Sequence, residues 1–498
     1  MATTTLEAMK LKRQLRWFVL FWTFLTLVMG ACTFFAIFWV LGETGLPGAS
    51  GRSFALPTLP PTQAAVVMQP TALPTREATE VPATEVPTTN PNIQAQQAIA
   101  QAQTLAAIPT IGDPATQPTA AAVATSTPLP VSNRSFQPGI QVQYSLDLNP
   151  DNQDGWMREV AEKLGLGWFK QQVRWEEIEP ERGQFDWSKM DLVIPSKNRF
   201  NLNIMLSIVA SPAWAAETAP PEGKHSPPAN NADFINFVTA ILERYPGQIQ
   251  AIEVWNEQNL DREWYSRNGL SASNYVRLLR ETYQAVKNLE PGIIVISGAL
   301  APTGGFTEPN GVVSAIDDFV YLDALLAAGI LNYVDCVGVH HNGYNIGPSI
   351  PWDAVPPEPD AQFRGPFDNP HHSWSFYSTL NTYAEKIELA GGDQPLCITE
   401  FGWASSEDLS GFPRGFEFAA DNTLQEQSDY IIEALDLMEE WEFVWLAFIW
   451  NFNYAPQAGW DPNNDNVPYS IIGNNWVFRP AYDAIINWSR ERRENMSQ

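Results

Sequence analysis

Ile252-Glu253-Val254-Trp255-Asn256-Glu257-Gln258-Asn259 reads as an apolar β-strand that ends on a carboxylate. Leu396-Cys397-Ile398-Thr399-Glu400-Phe401-Gly402-Trp403 repeats the pattern 143 residues later, counted from Glu257 to Glu400. Between and around them, apolar β-rich runs alternate with helix-period segments. Strands are expected at about 139–145, 168–174, 203–210, 249–256, 293–299, 333–340, 395–400 and 444–450. Helices are expected near 154–165, 187–198, 232–245, 272–289, 315–329, 374–390, 423–441 and 479–493. Alternation of this kind builds βαβ units and a parallel sheet. Eight repeats predict an α/β fold of the (β/α)8 TIM-barrel type, with the site at the C-terminal ends of the strands. Glu257 and Glu400 then close strands four and seven and face each other across the barrel mouth.

Composition divides the chain into four parts. Residues 1–16 form a short basic tail, and residues 17–41 form an uncharged, mostly apolar run long enough to span a bilayer. Lys10, Lys12, Arg13 and Arg16 precede that run, which predicts a cytoplasmic N-terminus and an exported remainder. A cleaved signal peptide is the rival reading, and it too exports the barrel. Residues 42–135 are rich in Pro, Thr, Ala and Gln and too poor in apolar groups to offset the entropy of ordering, so they read as a disordered stalk. Residues 136–498 hold 16 of the 19 tryptophans and form the folded domain.

The formal net charge of -27 argues against nucleic acid or an anionic lipid surface as partner of that domain. The three cysteines show no zinc spacing, and no metal or organic cofactor is expected. Cys32 lies in the apolar N-terminal run. Strand alternation places Cys336 on the face of His340 and Cys397 on the face opposite Glu400, which predicts two free buried thiols. Oligomeric state leaves no signature in the sequence.

Paired carboxylates among aromatic side chains suit acid/base and nucleophilic chemistry on a sugar. Glu257, beside Trp255, Asn256 and Gln258, is expected to stay protonated through desolvation and act as general acid. Glu400, before a flexible Phe401-Gly402 turn, is the candidate nucleophile. Arg174 at the end of strand two is expected close to Glu400, keeping it ionised. His340 and His341 end strand six and offer a hydrogen bond to the pair, with Tyr344 shortly after. Trp450 ends strand eight as a stacking floor for a pyranose. Asn256, Trp175 and Trp403 complete the expected sugar-binding set. The loop after strand six, about 341–373, carries Trp352, Arg364, His371 and His372, and is expected to contribute specificity. Asp461, Asn463, Asn464, Asp465 and Asn466 after strand eight read first as an Asx-rich turn, with binding of sugar hydroxyls or Ca2+ as the alternatives, and Asp147, Asn149 and Asp151 after strand one as helix-capping residues.

These motifs resemble glycoside hydrolase clan A, the retaining (β/α)8 glycosidases, and are nearest in look to family 39 or family 5. Trp255-Asn256-Glu257-Gln258-Asn259 is similar to the clan's acid/base motif, although Gln258 stands where proline is common. Ile398-Thr399-Glu400-Phe401-Gly402 is similar to its nucleophile motif. Arg174, His340 and Trp450 match its residues on strands two, six and eight. The stretch from Arg174 to Trp187 resembles the loop after strand two in families 39, 42 and 10. The resemblance implies a retaining O-glycosidase acting on a β-linked carbohydrate, with a cis peptide at Trp450-Asn451. A glycan-binding barrel without activity, a transglycosylase using the same carboxylates, and a structural cell-wall protein remain as alternatives. The sugar, its linkage and endo or exo action have no signature in the sequence.

Overall fold

A computed structural model describes residues 134–357, 361 and 371–496. The expected basic tail, the apolar run 17–41, the stalk up to residue 133 and Arg364 lie outside the described residues. Among the described residues, no helix is long and apolar enough to cross a membrane.

Eight parallel strands run in chain order around the sheet: β1 (Gln137–Gln141), β2 (Trp168–Arg174), β3 (Asn203–Val209), β4 (Ala251–Val254), β5 (Ile294–Ser297), β6 (Val337–Gly343), β7 (Leu396–Trp403) and β8 (Val444–Ile449). Each pairs with its sequence neighbour from β1 to β5 and from β6 to β8, and β8 pairs back onto β1. Between β5 and β6 the ladder thins to two parallel bridges, Ile296 with Cys336 and Leu300 with Val339. The barrel therefore closes, but its β5–β6 seam is irregular. Gly338 permits the close approach there, because a Cβ at that position would stand 2.0 Å from the Ser297 carbonyl oxygen.

The helices that follow the strands are α1 (Pro150–Arg158), α2 (Ser188–Arg199), α3 (Asn231–Arg244), α4 (Ala272–Leu289), α5 (Asp318–Ala327), α6 (Phe376–Leu389), α7 (Leu424–Glu440) and α8 (Pro480–Met496). Side-chain caps start most of them. Asn149, Asn230, Ser271, Asp317 and Ser375 each accept a backbone N–H of the first turn, and Thr423 forms a capping box with Glu426. The expected capping role of the Asn149 region is thus present, and Asp461 and Asn464 make Asx turns to the N–H groups of Asn463 and Asn466. In α3, Phe234, Phe237, Val238, Ile241 and Leu242 are buried at spacings of three and four, the stripe a helix needs to cover a sheet.

Two apolar regions hold the barrel. The larger one fills the space between strands and helices. The smaller plugs the barrel interior with Trp168, Met205, Ala251, Ile294, Ile296, Cys336, Cys397, Leu446 and Phe448. Cys336 and Cys397 lie together in this plug and form a disulfide, with Cα atoms 5.8 Å apart. The expectation of two free thiols is therefore overturned. Its flaw lay in counting alternation straight through β7. The register pairs Val339 with Ile398 and then His340 with Glu400, so Thr399 is an extra residue in a bulge. One inserted residue reverses the alternation and brings Cys397 to the same face as Glu400.

Candidate active site

Above the apolar plug, the barrel interior turns polar. Lys170 on β2 and Glu253 on β4 are both fully buried, with Lys170 Nζ 3.4 Å from Glu253 Oε2 and 2.9 Å from Glu400 Oε1. Glu253 Oε1 also accepts from Thr399 Oγ1 at 2.7 Å and from the Ala299 N–H at 3.2 Å. Burial opposes the charge on Lys170, but Glu253 and Glu400 outweigh it and raise its pKa. Burial likewise opposes the Glu253 anion, and Lys170, His340 and Thr399 outweigh it and lower its pKa. The result is a cation held between two carboxylates at the base of the site.

Glu257 is reached by a break in the strand. β4 ends at Val254, and Trp255 and Glu257 both take positive φ, 75° and 43°. Gln258 donates to the Gly298 carbonyl at 2.8 Å. Asn259 donates to the carbonyls of Ala301 and Ile316 and accepts the Ala301 N–H. These amides fasten the turn to the end of β5 and offset the strain that two left-handed residues carry. Trp255 points outward, packs on Trp264 and donates its indole N–H to the Glu263 carbonyl at 2.8 Å.

His340 joins the two glutamates. Its Nδ1 lies 3.1 Å from Glu257 Oε1 and 3.8 Å from Glu400 Oε2. Those two oxygens therefore stand within about 7 Å of each other, close enough for both carboxylates to meet one bound sugar. The glutamate side chains retain 8% and 9% exposure, so both can be reached from the mouth. Burial opposes a charge on His340, yet Glu400 and Glu257 prevail and raise its pKa.

The expectation of a protonated Glu257 is overturned. Burial does push its pKa up, but Arg262, whose Nη2 is 2.6 Å from Glu257 Oε2, and His340 bring it down to about 2. Trp255, the expected source of an apolar wall, faces the helices instead. Arg262 is 53% exposed, so water screens part of its pull. Its neighbour Glu263 behaves in the opposite way: burial, with Glu257 and Glu400 adding to it, raises its pKa to about 7.

Other expected residues separate into two groups. Trp450, half-buried, packs against Tyr454 with ring centroids 4.9 Å apart, and the Trp450-Asn451 peptide is cis as anticipated. Tyr344 and Trp450 border one aromatic patch with Phe418 and Tyr469. Asn256 is 7% exposed, and its Oδ1 has no hydrogen-bond partner among the described residues. These groups line the mouth. Arg174 also sits at the strand end, but it pairs with Glu176 and Glu177 and approaches His225 Nε2 at 3.1 Å. The cation on Glu400 is Lys170, two strand-face repeats deeper.

Three expected sugar contacts are elsewhere. Trp175 is fully buried in the helix layer, stacked on Phe237 and bonded to Glu179 Oε2 at 2.7 Å. Trp403 is fully buried, bonded to the Ile346 carbonyl at 2.9 Å. His341 points away from His340 to meet Phe376 edge-on, and burial lowers its pKa to about 3, leaving it neutral. His341 and Trp403 stand one and three residues from inward-facing His340 and Glu400, which turns them to the outer face of the sheet, and Trp175 opens the short helical turn that follows β2.

Lys170, Glu253, Arg262, Glu263 and Tyr469 were absent from the sequence reading. Lys170 and Glu253 each lie four residues before a strand-end candidate, on the same face. A charge inside an apolar strand signals a buried partner, so those two were legible. Arg262 and Glu263 depend on the path of the loop after β4 and left no such signal.

No protein-family profile and no curated protein matches the chain. Among solved structures it is similar to a family 39 glycoside hydrolase from the gut symbiont Bacteroides cellulosilyticus WH2, with 17% identity and a TM-score of 0.51 over 72% of this chain. It is also similar to GH5_18 from Streptomyces cattleya, solved in complex with GlcNAc, with 15% identity and a TM-score of 0.50. That match covers 72% of this chain and 81% of the Streptomyces one. The chain spans 64% of the length of the Bacteroides protein, less than two thirds. The likeness establishes a (β/α)8 barrel of the kind seen in glycoside hydrolase families 39 and 5, the two families the sequence motifs resemble most.

Proposed function

We propose that the chain is a retaining glycoside hydrolase acting on a β-linked oligo- or polysaccharide, with Glu400 as nucleophile and Glu257 as acid/base. The observation that carries this reading is the convergence of both carboxylates on His340 Nδ1 at the C-terminal mouth of the barrel. Lys170 holds Glu400 Oε1, which leaves Oε2 on the side of His340 and the mouth. Glu400 would attack the anomeric carbon as Glu257 protonates the departing glycosidic oxygen. Glu257 would then take a proton from the water that frees the glycosyl-enzyme, so configuration is retained.

Arg262 divides these two half-reactions. Its pull favours ionised Glu257, the form needed for the base step, and opposes the acid step. Half of its side chain is exposed, so a leaving-group sugar entering beside it can displace it. Glu257 then loses its cation as its proton is required. Trp450 supplies an apolar face for a pyranose, and the unpartnered Asn256 Oδ1 is suited to accept from a sugar hydroxyl.

We infer that the enzyme works outside the cytoplasm, tethered by residues 17–41. The Cys336–Cys397 disulfide supports this, because disulfides persist chiefly in oxidising compartments. The test of function is a panel of aryl β-glycosides and polysaccharides offered to the full chain, with Glu257→Gln as control. Release of reducing sugar by the parent and not by the control supports the reading. Binding without products from any member of the panel would replace it with a glycan-binding barrel.

A further inference from the structure

The connection from β8 to α8 begins with Trp450 at the mouth and ends in three consecutive exposed apolar residues, Trp476, Val477 and Phe478. They sit on a hairpin whose foot is fixed. Ile472 and Phe478 pair antiparallel, and the Gly473 N–H donates to the Val477 carbonyl at 2.8 Å. Buried Arg479 pairs with Asp408 Oδ1 at 2.6 Å, and Asp408 Oδ2 accepts the Asn474 N–H at 3.2 Å. The tip is strained. Asn475 and Trp476 have φ of 55° and 65°, a left-handed backbone that a bulky side chain rarely adopts. Trp476 is nevertheless 55% exposed, so burial offsets little of that strain in the free protein. Strain of this kind collects at ligand sites, and so do exposed aromatic patches.

The indole is held as well as displayed. Trp156 on α1 stacks on Trp476, with planes 5° apart and centroids at 5.6 Å, and Trp460 meets it at 81° and 5.6 Å. Trp156 in turn meets Phe452, two residues after Trp450, at 5.8 Å. A line of aromatic side chains thus joins the hairpin tip to the wall of the mouth. A sugar ring fits this tip. Its C–H face suits a fixed indole, and its hydroxyls suit the amides of exposed Asn474 and Asn475 beside it. A stable protein partner needs on the order of 800 Å2 on each side, far more than one hairpin tip offers. The net charge of -27 disfavours nucleic acid and anionic lipid.

We propose that Trp476, held by Trp156 and Trp460 and flanked by Asn474 and Asn475, is a second carbohydrate-binding platform, which holds a polysaccharide chain on the rim of the barrel outside the catalytic pair. The class of ligand rests on the glycosidase reading, but the platform shares no residue with Glu257, Glu400 or the groups that hold them. Two attachment points on one polymer raise the effective concentration at each, so a polysaccharide binds better than a short glycoside of the same sugar.

The test is affinity electrophoresis of the full chain through gels containing xylan, β-1,3-glucan, mixed-linkage β-glucan or galactomannan. Glu400→Gln serves as the background, so that the polymer stays intact. Retardation by at least one polymer is expected, and adding Trp476→Ala should weaken it about 30-fold, the loss typical of an aromatic anchor. Trp476→Tyr, which keeps a ring, should restore most of it. Hydrolysis by the parent chain is read separately on the same polymers. Retardation that needs Trp476, without hydrolysis by the parent, keeps the platform and removes the glycosidase reading. Hydrolysis by the parent, with equal retardation whether or not Trp476 is present, removes the platform alone. No retardation by any polymer overturns it, as does a dimer in sedimentation that Trp476→Ala dissolves without any effect of glycan. Should Trp476→Ala not fold, oxidation of Trp476 by N-bromosuccinimide in the Glu400→Gln chain decides, read by peptide mass spectrometry. Protection by the polymer supports the platform, and unslowed oxidation refutes it.

Discussion

Replacing Arg262 with Gln removes the cation nearest Glu257 and keeps an amide of similar reach. In the parent the Glu257 pKa is about 2, so at pH 6 only about one free molecule in 10^4 carries the proton that the acid step needs. An ordinary glutamate near 4.3 would carry it in roughly one molecule in 50. The ceiling on the gain is therefore about 200-fold. His340 still holds Glu257 Oε1, and Arg262 is already half solvated, so a gain of about 10-fold is the working expectation. The assay is the pH dependence of kcat/KM on a substrate with a poor leaving group, which reports the free enzyme. Its alkaline limb should move up by about one pH unit in Arg262→Gln and stay in place in Arg262→Lys. The limb for kcat should move less, because a bound sugar has already displaced the arginine. A dinitrophenyl glycoside needs no protonation and serves as control. An unchanged kcat/KM limb in Arg262→Gln would refute the claim that Arg262 governs the proton on Glu257.

Lys170→Met leaves Glu253 and Glu400 without their shared cation, and a broken buried pair costs about 3–5 kcal/mol. Denaturant unfolding should show that loss, and Lys170→Met/Glu253→Leu should recover most of it while activity stays low; recovery of activity as well would deny Lys170 a role in holding Glu400. His341 is neutral and buried, its pKa falling from 6.5 to about 3 on folding, so it contributes stability above pH 6.5 that is lost as pH falls toward 3. Unfolding free energy should drop by up to about 1.4 kcal/mol per pH unit across that window, and His341→Leu should flatten the slope by one proton; an unaltered slope would place the acid sensitivity elsewhere. Glu257, depressed from 4.5 to about 2, adds a further loss only as pH falls below 4.5. Cys336→Ala/Cys397→Ala opens a 61-residue separation and should lower stability by about 4 kcal/mol, read from denaturant midpoints; no change would mean that the β6–β7 ladder and the plug hold those strands without the bridge.

Much of the barrel was legible because strand and helix periods differ and each repeat carried both. The strand-end carboxylates, His340 and Trp450 were legible for the same reason, since a barrel collects strand ends at one mouth. The misplacements have particular causes. His341 and Trp403 stand one and three residues from inward-facing groups, so plain alternation assigns them to the outer face. They were read as sugar contacts for their chemistry and not for their side. The disulfide escaped because the bulge at Thr399 shifts β7 by one residue, and no residue type announces a bulge. Arg262 escaped because a loop's path is set by its tertiary fastening, here by Gln258 and Asn259 to the end of β5. The protonation state of Glu257 followed from that omission: burial alone argues for a neutral acid, and the arginine reverses it.

Trapping the glycosyl-enzyme tests the central assignment most directly. The full chain would be incubated with a panel of dinitrophenyl 2-deoxy-2-fluoro-β-glycosides and examined by intact and peptide mass spectrometry. The account predicts one glycosyl adduct per chain, on the peptide carrying Glu400, and none in Glu400→Gln. An adduct on a different residue, or turnover of the parent sugar by a chain that never forms the adduct, would contradict it.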